Sequence, residues 1–413
     1  MDSSCIVCNG KELHKVLDLG RIPNSNELVP YEALGKVDAF PLEYYTCGNC
    51  GMFQQIEIRS RESLFSSYLY LTGVNRPLVE HFREMSEELS KIVVKRSLAY
   101  VLGSNDGTEV TLLKAAGFGN VVGVEPSNVA KIAQEKGIET INSFFTHELS
   151  EEMVKKYGKA DLVTANNVFA HIPDPKDMLK GMANLIADDG TISIEVHWLK
   201  SIVDKLEIET LYTEHYFVWP IRAMKNISAQ AGLEIQQILY MPEQHGGSLR
   251  FILRKVGRGK RDSGLSGEMA RLDKMEAESG LYDLRVMGKL QTRANERKLA
   301  FVSLIRGLKK DRKRISIWSV PAKVPTLLNF CGITNKEIDC AYDIAKTKIG
   351  RYIPMANIEI KDEKLIEADN PDYLIIGAWN YMDLALEKFG NYMKGGGRLI
   401  NPLNCEIIGD VKT

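Results

Sequence analysis

Long apolar runs are missing from this sequence, and so is any excess of charge of one sign. The apolar runs fall well short of the roughly 18 residues that a membrane-spanning helix needs. The chain has 53 lysines and arginines against 54 aspartates and glutamates, with a formal net charge of -1, which argues against a nucleic-acid partner held by global positive charge. Its first residues also lack the charged-then-apolar layout of a signal peptide. We therefore expect a cytoplasmic protein of two or three domains, without membrane or nucleic-acid partners.

Cysteine is scarce, and four of the seven cysteines form two CxxC pairs, Cys5 with Cys8 and Cys47 with Cys50. In a reducing compartment such pairs hold a metal more often than they form disulfides. Four thiolates suit a tetrahedral zinc ion and leave no ligand position open, so the zinc would be structural. The alternatives are two unrelated reduced pairs or a redox CxxC, but a redox motif comes singly and beside a βαβ pattern. The pattern predicts a zinc-binding module over residues 1–72.

The most informative stretch is an apolar run at 98–102 that breaks into a glycine-containing turn at 103–107 before a helical pattern. This order predicts a buried parallel strand, a tight turn and a crossover helix. A second apolar run, 121–124, closes with Glu125 and Pro126. In a doubly wound sheet, a glycine turn lets backbone approach an adenosyl cofactor, and an acid at the second strand tip binds the ribose hydroxyls.

The spacing of the turn distinguishes between adenosyl cofactors. Gly103, Asn105 and Gly107 give the pattern GxNxG, which differs from the GxGxxG of dinucleotide-binding turns. It therefore favours S-adenosylmethionine.

Strand and helix patterns alternate from residue 97 to about 255. They predict a mostly parallel sheet with helices on both faces, ending in an antiparallel pair, and ligands at the carboxyl ends of its strands. We expect this domain to span 73–256, with a helix over 76–94 and a turn at 188–190. The predicted strands are 98–102, 121–124, 138–141, 161–165, 191–196, 233–240 and 249–254.

The carboxyl ends of these strands are rich in polar residues. The fourth strand ends at Asn166 and Asn167. Four of the seven histidines fall on predicted loops at the same edge: His171, His197, His215 and His245. A lone histidine is more often a structural residue, but a cluster near an acid and tyrosines favours a functional site. A second metal is the competing interpretation, and the lack of close paired spacing argues against it.

The last third of the chain predicts a second α/β domain, over 257–413. Residues 257–283 are polar and punctuated by glycine and serine, which predicts a linker. A helix is expected from 282 to 309, and strands at 314–318, 337–342, 372–377 and 397–400.

Six motifs in order carry a resemblance to a known family. They are the two cysteine pairs, Tyr68-Leu-Tyr70, and the stretches 102–107, 167–172, 212–215 and 245–248. This series resembles the zinc-containing nucleotide-sugar C-methyltransferases, which add a branching methyl group to deoxysugars, and it covers nearly the whole chain. The resemblance implies a zinc module, a central Rossmann-like class I methyltransferase domain and a C-terminal Rossmann-like α/β domain that helps hold a nucleotide sugar. It also implies methylation of a 4-keto sugar beside its ketone.

The resemblance further implies roles for individual residues in the cofactor site and the active site. With the strand-tip pattern above, the expected cofactor residues are Gly103, Asn105, Asp106, Gly107, Glu125, Pro126, Asn166 and Asn167. The expected catalytic residues are Tyr68, Tyr70, His171, Tyr212, Glu214 and His215. His215 is the best candidate for the base that removes the proton, while Glu214 could orient His215 or replace it. Tyrosine hydroxyls or His171 could stabilise the enolate oxygen; for Tyr68 and Tyr70 the alternative is a half-buried aromatic residue with a satisfied hydroxyl.

The C-terminal domain departs from the family at 319–325, where serine, valine and proline replace an expected glycine-rich turn. Lys323 and Arg351 are candidate phosphate partners, or ordinary surface cations. The expected substrate-binding residues are His245, Ser248, Lys323, Asn329, Arg351, Trp379 and Asn380. A methyltransferase acting on another activated or non-nucleotide substrate, and an inactive zinc-knuckle binding protein, remain alternatives. We expect a monomer or a weak homo-oligomer.

Overall fold

Three β-sheets organise the part of the chain that the structure describes. The computed structural model describes residues 3–59, 70–258 and 263–409, with only the backbone described for 263–266. The first sheet has four strands in the order β1-β2-β3-β9, and the other two have seven strands each. The predicted α/β fold class, with an N-terminal cysteine cluster and two Rossmann-like sheets, is confirmed.

The first sheet belongs to the cysteine-containing module, but its last strand comes from the middle of the chain. Its strands are β1 (Leu13–Ile22), β2 (Phe40–Cys47), β3 (Phe53–Gln54) and β9 (Phe217–Val218). Phe53 pairs with Val218 and Gln54 with Phe217, both in antiparallel register. The module is therefore joined by backbone hydrogen bonds to the segment that directly follows His215.

The central sheet has the strand order β10-β11-β8-β7-β4-β5-β6. Strands β8, β7, β4, β5 and β6 run parallel, and β11 and β10 add the expected antiparallel pair. The strands are β4 (Leu98–Leu102), β5 (Asn120–Val124), β6 (Thr140–Ile141), β7 (Ala160–Asn166), β8 (Ile186–His197), β10 (Leu233–Met241) and β11 (Ser248–Lys255). Strands β4 and β7 are buried along their whole length, as expected of a sheet covered on both faces.

Local signals set where the helices around this sheet begin. The side chain of Asn75 accepts a hydrogen bond from Leu78 N, and Asp174 and Thr146 cap two further helices in the same way, which satisfies amide groups left free at each start. The helices are α1 (Arg76–Ile92), α2 (Thr108–Ala115), α3 (Ala130–Glu135), α4 (His147–Tyr157), α5 (Pro175–Leu185), α6 (Leu199–Lys205) and α7 (Ile221–Gln230).

The third sheet has the strand order β14-β15-β13-β12-β16-β17-β18, and its five inner strands are parallel. Its strands are β12 (Ile315–Trp318), β13 (Cys340–Asp343), β14 (Tyr352–Ile353), β15 (Ile358–Asp362), β16 (Tyr373–Ile376), β17 (Arg398–Asn401) and β18 (Glu406–Ile408). The remaining helices are α8 (Ser263–Glu278), α9 (Leu284–Met287), α10 (Leu290–Lys310), α11 (Lys323–Cys331), α12 (Ile366–Asp369), α13 (Met382–Lys388) and α14 (Gly390–Lys394).

Two local predictions are wrong. The expected linker contains helix α8, in which Leu272 is fully buried and the carboxylate of Glu276 accepts from Trp198 Nε1 at 2.6 Å and Ile221 N at 2.8 Å. The expected turn at 188–190 lies within strand β8, whose pairing with β7 shifts register there. Because the register shift accommodates the exposed aspartates within the strand, the chain does not reverse direction there. In the described part of the chain, no helix is both long and apolar enough to cross a membrane.

Candidate active site and cofactor cradle

The turn after β4 has the form that close backbone approach requires. Gly103 has a φ of +73°, and a Cβ at this position would lie 2.3 Å from Val168 Cγ2. A side chain is therefore excluded on both conformational and steric grounds. The amides of Gly103 and Ser104 donate to Val124 O at 2.8 and 3.1 Å, which fixes the turn at the tips of β4 and β5.

Glu125 stands at the tip of β5 and faces this turn. Its carboxylate accepts hydrogen bonds from Asn105 N at 3.0 Å and from Ser127 N at 2.9 Å. Glu125, Pro126, Gly103 and Asn105 all line one large cavity of about 1060 Å³. Two carboxylate oxygens held by backbone amides keep lone pairs available, so the residues present fit the ribose end of an adenosyl cofactor.

Two of the predicted cofactor residues do not line the cavity. The carboxylate of Asp106 accepts from Gly73 N at 3.1 Å and from the Thr108 hydroxyl at 2.6 Å, so it joins the loop at Gly73 to the start of helix α2. Gly107, with φ of +81°, is the N-cap residue of α2. Their contribution to the cofactor site is therefore to shape the turn.

Asn166 and Asn167 end strand β7 and both line the cavity. The amide group of Asn166 donates to Glu109 Oε1 at 3.0 Å. The Oδ1 atoms of both asparagines are buried and have no hydrogen-bond partner among the described residues. Buried acceptors without a partner are uncommon in folded proteins.

The four histidines expected at this edge come together in the structure. Ring centroids are separated by 4.7 Å between His171 and His215, 5.0 Å between His197 and His215, and 4.9 Å between His197 and His245. All four line the cavity. Loss of hydration lowers the pKa of each ring, to about 4 for His245 and well below the ordinary value for His197 and His215. The cluster is therefore neutral at pH 7.

Hydrogen bonding defines the tautomer of His215. Its Nδ1 lies 2.7 Å from Thr210 O, and a carbonyl can only accept, so Nδ1 carries the proton. The unprotonated Nε2 is left as an acceptor. The ring of Tyr212 stacks on His215 with centroids 3.8 Å apart, and Tyr212 also lines the cavity. The His215 ring is thus buried, oriented and neutral, with Nε2 as an acceptor.

Glu214 lies outside the cavity lining. Its Oε1 accepts from Asn26 N at 3.0 Å and Asn26 Nδ2 at 3.2 Å, and its Oε2 from Ser25 N at 3.2 Å and the Thr213 hydroxyl at 2.7 Å. Its backbone oxygen accepts from His171 Nδ1 at 2.8 Å. In the structure Glu214 therefore joins the cysteine-containing module to the loop that carries Glu214 and His215. It orients His171 rather than His215.

The structure describes one of the two tyrosines expected to be catalytic. Tyr70 lines the cavity, and its burial raises the pKa of its hydroxyl, so the hydroxyl stays protonated and can donate. Tyr68 lies outside the described residues.

The C-terminal domain contributes Lys323 and Asn380 to the same cavity. Lys323 Nζ donates to Asn380 Oδ1 at 2.6 Å and lies 3.8 Å from the centroid of the Trp379 ring. Burial lowers the pKa of Lys323 to about 8. Trp379 supports Lys323 from outside the lining.

Besides Trp379, the structure leaves three further expected substrate residues outside the cavity lining. Ser248 Oγ donates to Gln244 O at 3.1 Å, Asn329 Nδ2 to Pro325 O at 2.8 Å, and Arg351 to Leu28 O at 2.9 Å. Each of these side chains satisfies a nearby carbonyl group and holds a loop or a domain contact.

Sequence reasoning missed Asp343, Glu109 and the Phe144–Phe145 pair in the lining. The sequence could have indicated Asp343, because this acid stands at the end of the second strand of its domain, as Glu125 does in the central domain. Its carboxylate accepts from Val320 N and Ala345 N, both at 2.9 Å, which repeats the Glu125 pattern. Ser319, with φ of +65°, occupies the position that Gly103 has in the central domain.

The four paired cysteines form a compact cluster at the N-terminal end of the chain. Sγ atoms lie 3.5 Å apart for Cys5 and Cys50 and 3.6 Å apart for Cys8 and Cys47, and all four lie within 4.8 Å of one another. Thiolates bound tetrahedrally to zinc at 2.3 Å are separated by roughly 3.8 Å. The donor set therefore fits one structural zinc ion.

Family models match three successive parts of the chain. They are described as "Putative zinc binding domain" for residues 5–65, "Methyltransferase domain" for 80–238 and "C-methyltransferase C-terminal domain" for 243–404. The chain is 28% identical over 407 residues to the C-methyltransferase NovU of Streptomyces niveus, which covers 97% of this chain and 95% of that protein. It is also 32% identical over 90 residues to a ubiquinone biosynthesis O-methyltransferase of Escherichia coli, covering 20% of this chain and 36% of that one. Among solved structures, an S-adenosylmethionine-dependent methyltransferase from Clostridium acetobutylicum is similar over 43% of this chain and 92% of that chain, at 12% identity and a TM-score of 0.36.

Proposed function

We propose that this S-adenosylmethionine-dependent C-methyltransferase acts on a nucleotide-linked 4-keto deoxysugar, adding a methyl group to the carbon beside the ketone. One observation carries the proposal: the carboxyl ends of both parallel sheets border the same cavity of about 1060 Å³. Ligands of α/β sheets collect at that edge of the sheet. A methyl donor on the central sheet and an acceptor on the C-terminal sheet would therefore meet inside one cavity.

The end of the cavity formed by the central sheet fits the donor. Gly103, Asn105 and Glu125 would hold the adenosine part, with Phe144 and Phe145 lining the same end. When bound, S-adenosylmethionine supplies an electrophilic methyl group. The protein's contribution there is position, because a reaction between two bound groups depends on their alignment.

The histidines that line the cavity supply the candidate base for the proton transfer. A carbon beside a ketone becomes a nucleophile when its proton is removed, which needs an unprotonated base within reach. His215 is neutral, and its Nε2 has no competing partner among the described residues. Negative charge then develops on the sugar oxygen O4, and the hydroxyls of Tyr70 and Tyr212, which line the cavity, are candidate donors to it.

The end of the cavity formed by the C-terminal sheet supports an anionic, nucleotide-bearing acceptor. Lys323 and Lys346 line it, and neither has a carboxylate within 4.0 Å among the residues the structure describes. Cations without an internal carboxylate partner suit a diphosphate. The repeat of the Glu125 arrangement at Asp343 supports a nucleoside beside them, because an acid in this place binds ribose hydroxyls in doubly wound sheets.

The test is transfer of labelled methyl from S-adenosylmethionine to a panel of 4-keto nucleotide sugars, with the matching 4-hydroxy sugars as controls. We expect label on the 4-keto compounds only, because only the ketone makes the neighbouring proton acidic. Equal transfer to keto sugars that lack the nucleotide would favour an enzyme acting on another substrate. Failure to bind S-adenosylmethionine at micromolar concentration would favour an inactive binding protein.

A further inference from the structure

A single turn of the central domain, residues 206–210, carries the carbonyl group that orients His215. His215 Nδ1 donates to Thr210 O at 2.7 Å. The amide and the hydroxyl of Thr210 in turn donate to Glu207 O, at 3.0 and 2.6 Å. The direction of the Thr210 carbonyl, and with it the orientation of the His215 ring, therefore depends on how firmly the 206–210 turn is held.

The local conformation of this turn is unfavourable. Leu206, its first residue, ends helix α6 with φ of +58°, which residues with a side chain rarely adopt. Backbone in such a conformation persists where the surrounding structure holds it. We therefore looked for contacts that reach the turn from other elements.

Arg297 of helix α10 contacts the turn at two places. Its Nη1 donates to Leu206 O, and its Nη2 donates to Glu209 Oε2 at 2.5 Å. Arg297 is 8% exposed and Glu209 1%, and charge-assisted hydrogen bonds are strong when water is excluded. The planar guanidinium group fixes the direction of both hydrogen bonds. Arg297 thus holds the turn at its first residue and beside Thr210.

The same turn packs against the C-terminal domain. Ile208 of the turn is buried in one apolar cluster with Phe301 of α10 and with Leu327 and Leu328 of α11. Arg297 therefore connects the domain proposed to hold the acceptor with the ring proposed to take its proton.

We propose that Arg297 is a positioning residue for His215: through Leu206 O and Glu209 it holds the Thr210 carbonyl that keeps the ring proton on Nδ1. The part of His215 as the base rests on the function proposed above. The effect of Arg297 on the tautomer of His215 does not rest on it, because the tautomer is measured without any substrate.

The first test reads that tautomer by nitrogen NMR of the full chain containing labelled histidine. Protonated and unprotonated nitrogens of a neutral ring give separate signals, and the signals of His215 are those lost in His215→Asn. We expect one tautomer in the wild type, with Nδ1 protonated. Arg297→Lys keeps the positive charge but loses the planar fork, so a mixture of the two tautomers is expected.

The matched control is Arg293→Lys. Arg293 lies one turn earlier on α10 and donates to Asp204 O at 3.3 Å, outside the 206–210 turn. This variant should keep the single tautomer of the wild type.

The second test measures methyl transfer in the same two variants. In Arg297→Lys we expect kcat to fall at least about tenfold, because a small displacement of a catalytic group slows the reaction. The KM for the acceptor and the affinity for S-adenosylmethionine should change by less than about twofold, as for a contact that matters only in the transition state. Arg293→Lys should match the wild type in all three.

A single Nδ1-protonated tautomer retained in Arg297→Lys would overturn the proposal, as would an unchanged kcat. An equal fall in kcat and in cofactor affinity would reduce Arg297 to a support of the fold. If Arg297→Lys does not fold, Glu209→Gln weakens the same contact from the other side, and a single tautomer there would refute the proposal. Full turnover in His215→Asn would refute the proposed base, and the tautomer result would then decide the role of Arg297.

Discussion

At the scale of single residues, the protonation of His215 decides whether the cavity contains a usable base. The hydrogen bond to Thr210 O places the proton on Nδ1, and burial beside His171 and His197 lowers the pKa of the ring. A histidine with a lowered pKa is a weaker base in water, but it is always in its unprotonated form near pH 7. Because the ring is preoriented by Thr210 and by stacking on Tyr212, it loses little freedom on reaction.

We predict that His215→Asn lowers turnover at least about a hundredfold, the usual contribution of a general base. Asparagine keeps a polar side chain of similar reach but cannot accept the proton. Affinity for S-adenosylmethionine, measured by calorimetry, should stay unchanged because His215 lies beyond the Gly103 turn. Turnover equal to that of the wild type would remove His215 from this role.

The pH profile provides the control for this prediction. A base is active when unprotonated, and burial holds the pKa of His215 well below the ordinary value of about 6.5. The acid limb of kcat/KM should therefore lie below pH 6.5, with no loss of rate between pH 7 and that limb. The residual activity of His215→Asn should lack this limb. A wild-type limb at or above 6.5 would point to a different base.

Residue identity at the strand tips could be predicted from the sequence, but the direction of each side chain could not. Glu125, Asn166 and the four histidines follow from the rule that strand ends meet at one edge. Asp106 lies in the same turn, but hydrogen bonds to Gly73 and Thr108 draw its carboxylate away. Gly73 belongs to another loop, and the contact with Thr108 depends on the side-chain rotamer. Neither leaves a pattern in the sequence.

At the scale of elements, the two-residue strand β9 connects the zinc module to the segment that carries His215. It begins two residues after His215 and pairs with β3, and Gln55 Nε2 donates to His215 O at 2.8 Å. Tyr44 of β2 donates to the same oxygen at 2.5 Å. The module therefore positions the backbone at His215. The sequence did not predict this contact, because Gln55 and His215 are far apart along the chain.

We predict that Cys47→Ser lowers zinc content from about one ion per chain and reduces turnover more than affinity for S-adenosylmethionine. Loss of a thiolate ligand destabilises the module, and β3 and Gln55 then hold His215 less firmly, while the Gly103 turn belongs to another sheet. Elemental analysis, calorimetry and turnover measure the three quantities.

Cys405→Ser, at a half-buried cysteine outside the cluster, is the matched control and should retain both zinc and activity. Unchanged zinc in Cys47→Ser would contradict the metal assignment. Full turnover despite zinc loss would instead contradict the link through β9.

The predicted elements with a continuous apolar pattern agree with the structure, whereas a helix with a linker-like composition was missed. Strand β4 and helix α1 were located to within two residues because their apolar patterns are continuous. Helix α8 was missed because its serines and glycines are typical of linkers. Tertiary contacts override that preference: Leu272 is buried, and Glu276 caps α7 and binds Trp198.

At the scale of the whole molecule, residues 23–28 of the zinc module touch both larger domains. Ser25 N donates to Glu214, and the Ser25 hydroxyl lies 3.1 Å from that of Thr326 in the C-terminal domain. Arg351 of the same domain donates to Leu28 O. This segment therefore contacts the two domains whose sheet edges border the cavity, and the proposed meeting of donor and acceptor depends on it.

Glu214 is the test of that arrangement, because its carboxylate is the main contact of this segment with the methyltransferase domain. In Glu214→Gln an amide nitrogen replaces one carboxylate oxygen and cannot accept from Ser25 N and the Thr213 hydroxyl, which both donate to Oε2. We expect the loss of these hydrogen bonds to a charged group to cost about 1–3 kcal/mol in the free energy of unfolding. We predict a lower melting temperature, reduced turnover and an unchanged acid limb of kcat/KM, while Glu32→Gln, exposed in the same module, should match the wild type in all three. A catalytic base at Glu214 would give the opposite combination, an unaltered melting temperature with turnover abolished, so the two roles separate in a single variant.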